Sequence, residues 1–291
     1  MFKGIKNNKN NCYLSCLIHL YRIYLPSFLC QISKENLLIK ELETIFKKLY
    51  FEEIDLSKLL QILNLNEKQQ DSLEFHKFFT TFLSQLLVKE RKEYASKPLN
   101  SITGLMRYSH KCCRCFHEKV SVVEFNDLII LSNNLKQGLF ELFANEFIDL
   151  NCACFNRNFI KSMKISALPM FLHFQINRFI FDGSKCKKSK NPFVFPLKID
   201  MSPFVDGAVD CTYELCGVLL HQGSTVNWGH YVVKVFNREF NCWFNCNDEQ
   251  VDICEELDFD FFNLNKTKKR SILEDGLYES RSCSLLLYRK W

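Results

Sequence analysis

The chain has 291 residues, 47% hydrophobic and 24% charged, a balance that excludes disorder by composition and allows a sizeable core. Its net charge of +5, from 38 basic and 33 acidic residues, is spread along the chain, which argues against a nucleic-acid partner. Fifteen cysteines, an odd number, cannot all pair internally, and the polar, Lys/Asn-rich start carries no secretory leader. A reducing compartment, cytoplasmic or nuclear, is therefore expected. No window approaches the roughly 18 uninterrupted apolar residues of a membrane span, so no membrane partner is expected either.

Residues 12–100 read mainly as helix. Tyr13, Leu17, Leu20, Tyr21 and Tyr24 recur at helical spacing, as do Phe75, Phe78, Phe79, Phe82 and Leu86. Around 103–185 the texture changes to cysteine pairs and extended apolar runs, at 120–125 and 171–181. From 192 onward strands dominate, most clearly 213–220, 230–236 and 285–288. Helices first and strands later predict an α+β protein rather than a βαβ alternation.

Cys12 stands where an asparagine-rich loop enters the first helix. A thiol there meets unpaired backbone amides and the positive end of the helix dipole, both of which favour the thiolate. Asn7, just upstream, offers an amide donor for a developing oxyanion. A base is needed, and His230 is the candidate. Gly229, His230 and Tyr231 open a strand, and the next strand runs from Trp243 to Asn247 and Asp248. Adjacent strands can set Asn247 beside His230 to fix the imidazole tautomer, a Cys-His-Asn arrangement with cysteine early and histidine late.

These residues resemble the ubiquitin-specific protease family of papain-like cysteine proteases. Its first signature, Gly-Leu-x-Asn-x-Gly-Asn-Thr-Cys-Tyr-Met-Asn-Ser, is matched by Gly4, Ile5, Asn7, Asn10, Cys12 and Tyr13. Its second is matched by Tyr213, Leu215, His221, Gly223, Gly229, His230, Tyr231, Trp243, Asn247 and Asp248. Between them, Gln69, Gln70, Asp71, Glu74 and Phe75 look like the Gln-Gln-Asp-x-x-Glu-Phe element, and Leu168, Pro169, Arg178 and Phe179 look like the Leu-Pro…Arg-Phe strand. The terminal strand at 284–288 fits as well, so the resemblance spans nearly the whole chain. Lys9 replaces the family glycine, Asn11 its threonine, and Ser15 and Cys16 its Asn-Ser pair.

The resemblance implies one catalytic domain over 1–291, with a helical thumb near 1–102, fingers and the start of the palm at 103–185, and an antiparallel palm at 186–291. It implies a thiol hydrolase acting after the C-terminal glycine of ubiquitin, with ubiquitin and ubiquitinated proteins as partners and a monomeric catalytic core. Asp71 and Glu74, with Gln70 and Tyr231, would hold the basic tail, and loops near 182–192 and 222–228 would border its channel. Asp248 would assist within the site. Cys112, Cys115, Cys152 and Cys154 suit a structural zinc in the fingers, although the second pair is CxC rather than CxxC, and His110, Cys113 and His117 compete as ligands. No organic cofactor is expected. The rival readings are an inactive ubiquitin-binding scaffold of the same fold and a papain-like protease for another modifier.

Overall fold

A computed structural model describes residues 2–8, 10–29, 36–65, 70–90, 102–182, 185–189, 191–207, 210–225, 228–254, 259 and 276–291. Lys9 and Gln69, singled out above, lie outside these residues, as do 183–184, 190 and 226–227 of the two channel loops.

The first section is helical as its spacing implies: α1 (Cys12–Tyr21), α2 (Leu25–Leu29), α3 (Leu37–Lys48), α4 (Ser57–Ile62) and α5 (Ser72–Glu90). Asn36 starts α3 by accepting from the amides of Leu38 and Ile39. Helix α1 differs from a surface helix, because all ten of its residues are buried. A helix apolar on every side needs neighbours on every side. It packs on α5 and, across the other face, on three palm strands.

The middle section begins with β1 (Gly104–Cys112), β2 (Glu118–Phe125), β3 (Asp127–Ile130), α6 (Leu135–Leu142), β4 (Glu146–Asp149) and β5 (Asn158–Ala167). It continues through β6 (Phe171–Ile176), β7 (Phe179–Asp182), β8 (Lys185–Lys188), β9 (Phe193–Pro196) and β10 (Lys198–Asp200). The last section holds β11 (Thr212–Thr225), β12 (Trp228–Asn237), β13 (Cys242–Asn247), β14 (Gln250–Ile253), β15 (Leu277–Ser280) and β16 (Cys283–Lys290).

Strands β2, β1, β5 and β4 form an antiparallel sheet, the fingers, whose hairpin ends carry the cysteine pairs. The larger sheet runs β14-β13-β12-β11-β16-β6-β3, with β10 on β11. It is antiparallel except at one edge, where β3 lies parallel to β6. The chain leaves β3, builds α6 and the second half of the fingers, and returns, a detour long enough for a parallel crossover. One core cluster joins the helices to β11, β12, β13 and β16. A second lies between the sheet and α6, β9 and β15. At Gly217 a Cβ would come within 2.2 Å of Leu20, so glycine lets α1 lie directly on β11.

Two buried histidines tie the helices to the sheet. His76 Nδ1 bonds the Tyr21 hydroxyl at 3.1 Å, His173 Nε2 bonds the Tyr24 hydroxyl at 3.4 Å, and the two imidazoles lie 4.6 Å apart. Burial holds His76 well below the ordinary value of 6.5 and His173 at about 4. Both are neutral in the folded protein but protonate in the unfolded chain at mildly acid pH. Their contribution is therefore complete above 6.5 and is lost as pH falls towards 4. The unfolding free energy measured in urea should drop over that interval, by on the order of 3 kcal/mol for His173 alone. In His173→Gln the slope should flatten; an unchanged slope would mean that this histidine is not held neutral.

Candidate active site and metal centre

Cys12 is the first residue of α1 and is buried, with no side-chain cap from Asn11. His230 stands near the start of β12, Asn247 ends β13, and Asp248 begins the turn into β14. The fold brings them together. The Cys12 thiol is hydrogen-bonded to the His230 imidazole, and His230 Nε2 lies 2.6 Å from Asn247 Oδ1. Nε2 is thus engaged with the amide oxygen, which leaves Nδ1 to the sulfur. Asp248 Oδ2 stands 3.7 Å from Nε2. The Cys12 hydrogen bond, followed by the bond to Asn247 and the charges of Cys12 and Asp248, raises His230 from 6.5 to about 9. Such a pair suits a nucleophilic thiolate with an imidazolium ready to protonate a leaving group.

The loop before Cys12 is fastened to the same turn. Ile5 N–H donates to the Asp248 carbonyl at 2.9 Å, Asn7 N–H to Glu249 Oε1 at 2.9 Å, and Asn7 Nδ2 to Asp248 Oδ2 at 2.8 Å. Asn7 Oδ1 accepts from the Asn11 amide at 3.0 Å, which sets the entry into α1. One N–H of the Asn7 amide is held by Asp248, which orients the group. A Cβ on Gly4 would fall 2.0 Å from the Glu249 carbonyl oxygen, so glycine is required where the loop meets the turn.

His221 shows how His230 is held from behind. Its ring stacks on Tyr231 at 4.4 Å, and its Nε2 would lie 2.5 Å from a Cβ on Gly229. The two neighbours of His230 therefore rest on one imidazole. Lys188 fixes that ring by donating to His221 Nδ1 at 3.0 Å and to the His221 carbonyl at 2.6 Å. An ammonium only donates, so Nδ1 accepts and the proton sits on Nε2. Burial first, then the nearby charges of Lys188 and His230, keep His221 at about 4 and hence neutral. Lys188 was not legible as a functional residue, because its Lys-rich neighbourhood reads as solvated charge.

Across the cleft, Asp71 starts α5: its Oδ1 accepts from Leu73 N–H at 2.9 Å, and its carbonyl accepts from Phe75 N–H. Ser72 N–H donates to the Tyr231 hydroxyl at 3.3 Å, so the α5 start touches the strand of His230. Burial raises the Asp71 carboxyl, and the charge of Glu74 adds to the rise. Two acids so placed favour a cation between them. Gln70 lies immediately before this turn.

The fingers bring Cys112, Cys115, Cys152 and Cys154 together, with all four sulfurs within 4.8 Å of one another. The Cys112–Cys154 and Cys115–Cys152 sulfur distances are 3.6 and 3.5 Å, close to the ~3.8 Å between thiolates around a tetrahedral zinc. The four could hold a metal ion; His110, Cys113 and His117 fall outside the group. The short CxC fits because Phe155 takes a left-handed φ of 60° and returns its N–H to the Cys152 carbonyl. Phe116 does the same after the first pair, at φ 61°. A hydrogen bond from the Cys115 backbone lowers Cys112 to about 6, while burial and the neighbouring thiols push Cys152 up to about 12.

A family model described as ubiquitin carboxyl-terminal hydrolase matches residues 3–288. Ubiquitin carboxyl-terminal hydrolase 48 of Danio rerio is 31% identical over 258 residues, 81% of this chain and 25% of that protein. Ubiquitin carboxyl-terminal hydrolase 26 of Oryza sativa subsp. japonica is 26% identical, over 85% and 25% respectively. The chain thus spans about a quarter of the length of these curated relatives. Among solved structures, the SAGA Ubp8/Sgf11/Sus1/Sgf73 DUB module bound to ubiquitin aldehyde matches with a TM-score of 0.77 and 21% identity, over 99% of this chain and 69% of that one. At that identity the likeness speaks to the fold.

The pairing predicts a titration. In an NMR pH series the His230 imidazole should remain protonated until about pH 9. In Cys12→Ala the midpoint should fall back towards 6.5, since the largest cause of the rise is gone. An equal midpoint in both proteins would mean that the two side chains do not interact.

Proposed function

The chain belongs to the ubiquitin carboxyl-terminal hydrolase family, and from that premise we propose that it is a thiol-dependent deubiquitinating hydrolase. Its substrate bond is the isopeptide or peptide bond after the C-terminal glycine of ubiquitin. The observation that carries the reading is the hydrogen-bonded Cys12–His230 pair, with Asn247 on the far nitrogen of the ring.

In this reading the Cys12 thiolate attacks the glycine carbonyl, and the Asn7 amide and the first amides of α1 hold the oxyanion. His230, kept in orientation by Asn247, gives its proton to the leaving lysine amine. Water then attacks the thioester while the same imidazole takes the proton back. Asp248 keeps Asn7 in place and stabilises the imidazolium. Asp71 and Glu74 receive the basic end of the tail, Gln70 borders them, and Tyr231 lines the passage. The exposed apolar residues Val120 and Val122, on one face of β2, offer the globular part of ubiquitin a surface to rest on. The 13 cysteines whose side chains are described are free thiols, which supports a cytoplasmic or nuclear setting. The catalytic core acts as a monomer.

A ubiquitin probe with a C-terminal electrophile tests this directly. Wild type should be labelled and Cys12→Ala should not. Asp71→Ala should raise KM for a ubiquitin–fluorophore substrate about tenfold or more, with a smaller change in kcat. A folded wild type that resists labelling would be an inactive scaffold, and indifference to Asp71→Ala would point to another modifier.

We assign the fingers a structural zinc on Cys112, Cys115, Cys152 and Cys154, whose role would be to fasten the two hairpin ends. Purified protein should contain one zinc per chain by elemental analysis. Cys115→Ser with Cys152→Ser should lose it and lower the thermal midpoint, while iodoacetamide still reacts at Cys12. A metal content unaffected by the double substitution would exclude the assignment.

A further inference from the structure

At the end of α1 opposite Cys12, three arginines converge on a cavity of about 170 Å3. Arg22 immediately follows the helix, Arg238 follows β12, and Arg289 stands near the end of β16. Arg22 is only 8% exposed, stacks on the Phe2 ring, and has its Nη1 buried without a partner. Arg289 Nε is likewise buried without a hydrogen-bond partner, its guanidinium lying 5.6 Å from the centre of the Phe171 ring. Burial pulls Arg22 down to about 10, and burial with the charge of Arg238 lowers Arg289. Unpaired cations in such a place are costly, and an anion between them would offset that cost.

The acidic side chains nearby do not supply it. Glu214 faces Arg289 across the β11–β16 pair, yet its carboxylate sits 2.6 Å from Lys198 instead. Glu239 is exposed on the rim. None of the three guanidinium groups forms an ion pair with a described carboxylate. The remaining polar lining includes Tyr50 and Asn237. Planar guanidinium groups from three directions match a tetrahedral oxyanion better than a flat carboxylate, because each can take a different pair of oxygens.

We propose that this cavity is a binding site for a phosphate group, separate from the catalytic cleft. The phosphate is either free or carried as a monoester on a small molecule. Arg22 and Arg289 form its floor, and Arg238 closes it from the rim.

Inorganic phosphate, titrated against the 291-residue protein at constant ionic strength, is the first probe. The thermal midpoint should rise and saturate with phosphate, whereas chloride should leave it unchanged. Calorimetry should give a single site, weakened about tenfold by Arg238→Gln, whose exposed position leaves folding intact, and more by Arg289→Gln. Glycerol phosphate distinguishes the sources: tighter binding than inorganic phosphate indicates a monoester, and weaker binding indicates the free ion. Stabilisation no greater than with chloride, or equal phosphate affinity in wild type and Arg238→Gln, would overturn the proposal. Cys12 labelling by the ubiquitin probe should be the same in Arg238→Gln as in wild type. The two sites can therefore fail independently.

Discussion

The docking of the N-terminal loop on the turn between β13 and β14 is the constraint from which the active site follows. The bond from Ile5 N–H to the Asp248 carbonyl places the loop, and Gly4 allows it to approach that closely. Asn7 is then held by Asp248 and Glu249, and Asn11 by Asn7. Cys12 arrives beside an imidazole that is itself held by Asn247, the residue just before Asp248. One turn thus positions Asn7, the start of α1 and the amide that holds the His230 ring. Because the connections are short and mutual, the thiol and imidazole are brought together before any substrate binds, which is what preorganisation requires.

The buried character of α1 has a cost as well as a use. Surrounded on every face, the helix cannot tilt or slide without displacing α5 or the palm strands, so its N-terminus is a rigid mount for the thiol. It also carries His19 into the core, where burial lowers it to about 3 and neither ring nitrogen has a described partner. Stability is given up there for the placement of the residues around it, a familiar compromise near reactive groups. The fingers follow another logic. Their thin sheet has few buried residues beyond β1 and β5, so its far end is held by what joins the two hairpins, the four thiols.

How much of this was legible in the sequence depends on whether a residue acts through its type or through its contacts. Cys12, His230 and Asn247 could be found because a thiol at a helix start and a histidine and an amide at strand ends are chemical signals in themselves. The four cysteines of the fingers were found for the same reason. The α+β order was legible from the change of period, and the strands near 213–220 and 230–236 appear as β11 and β12. Lys188 and Gly4 were different. Lys188 matters because its side chain reaches His221 on β11, and Gly4 because Glu249 comes near it, and neither partner is visible without the fold. The parallel β3–β6 edge was hidden as well, since it arises from a long detour through the fingers and leaves no local pattern.

One feature of the sheet governs when the protein can work at all. Strand β16, the last in chain order of the elements described above, lies in the middle of the large sheet, between β11 and β6. Helix α1 with Cys12 precedes it by more than 250 residues, yet β11 lacks one neighbour until β16 is in place. Domains that close through such distant pairings fold late and as a unit. The Cys12 thiol and the His230 imidazole are therefore united in their final arrangement only when β16 has closed the sheet.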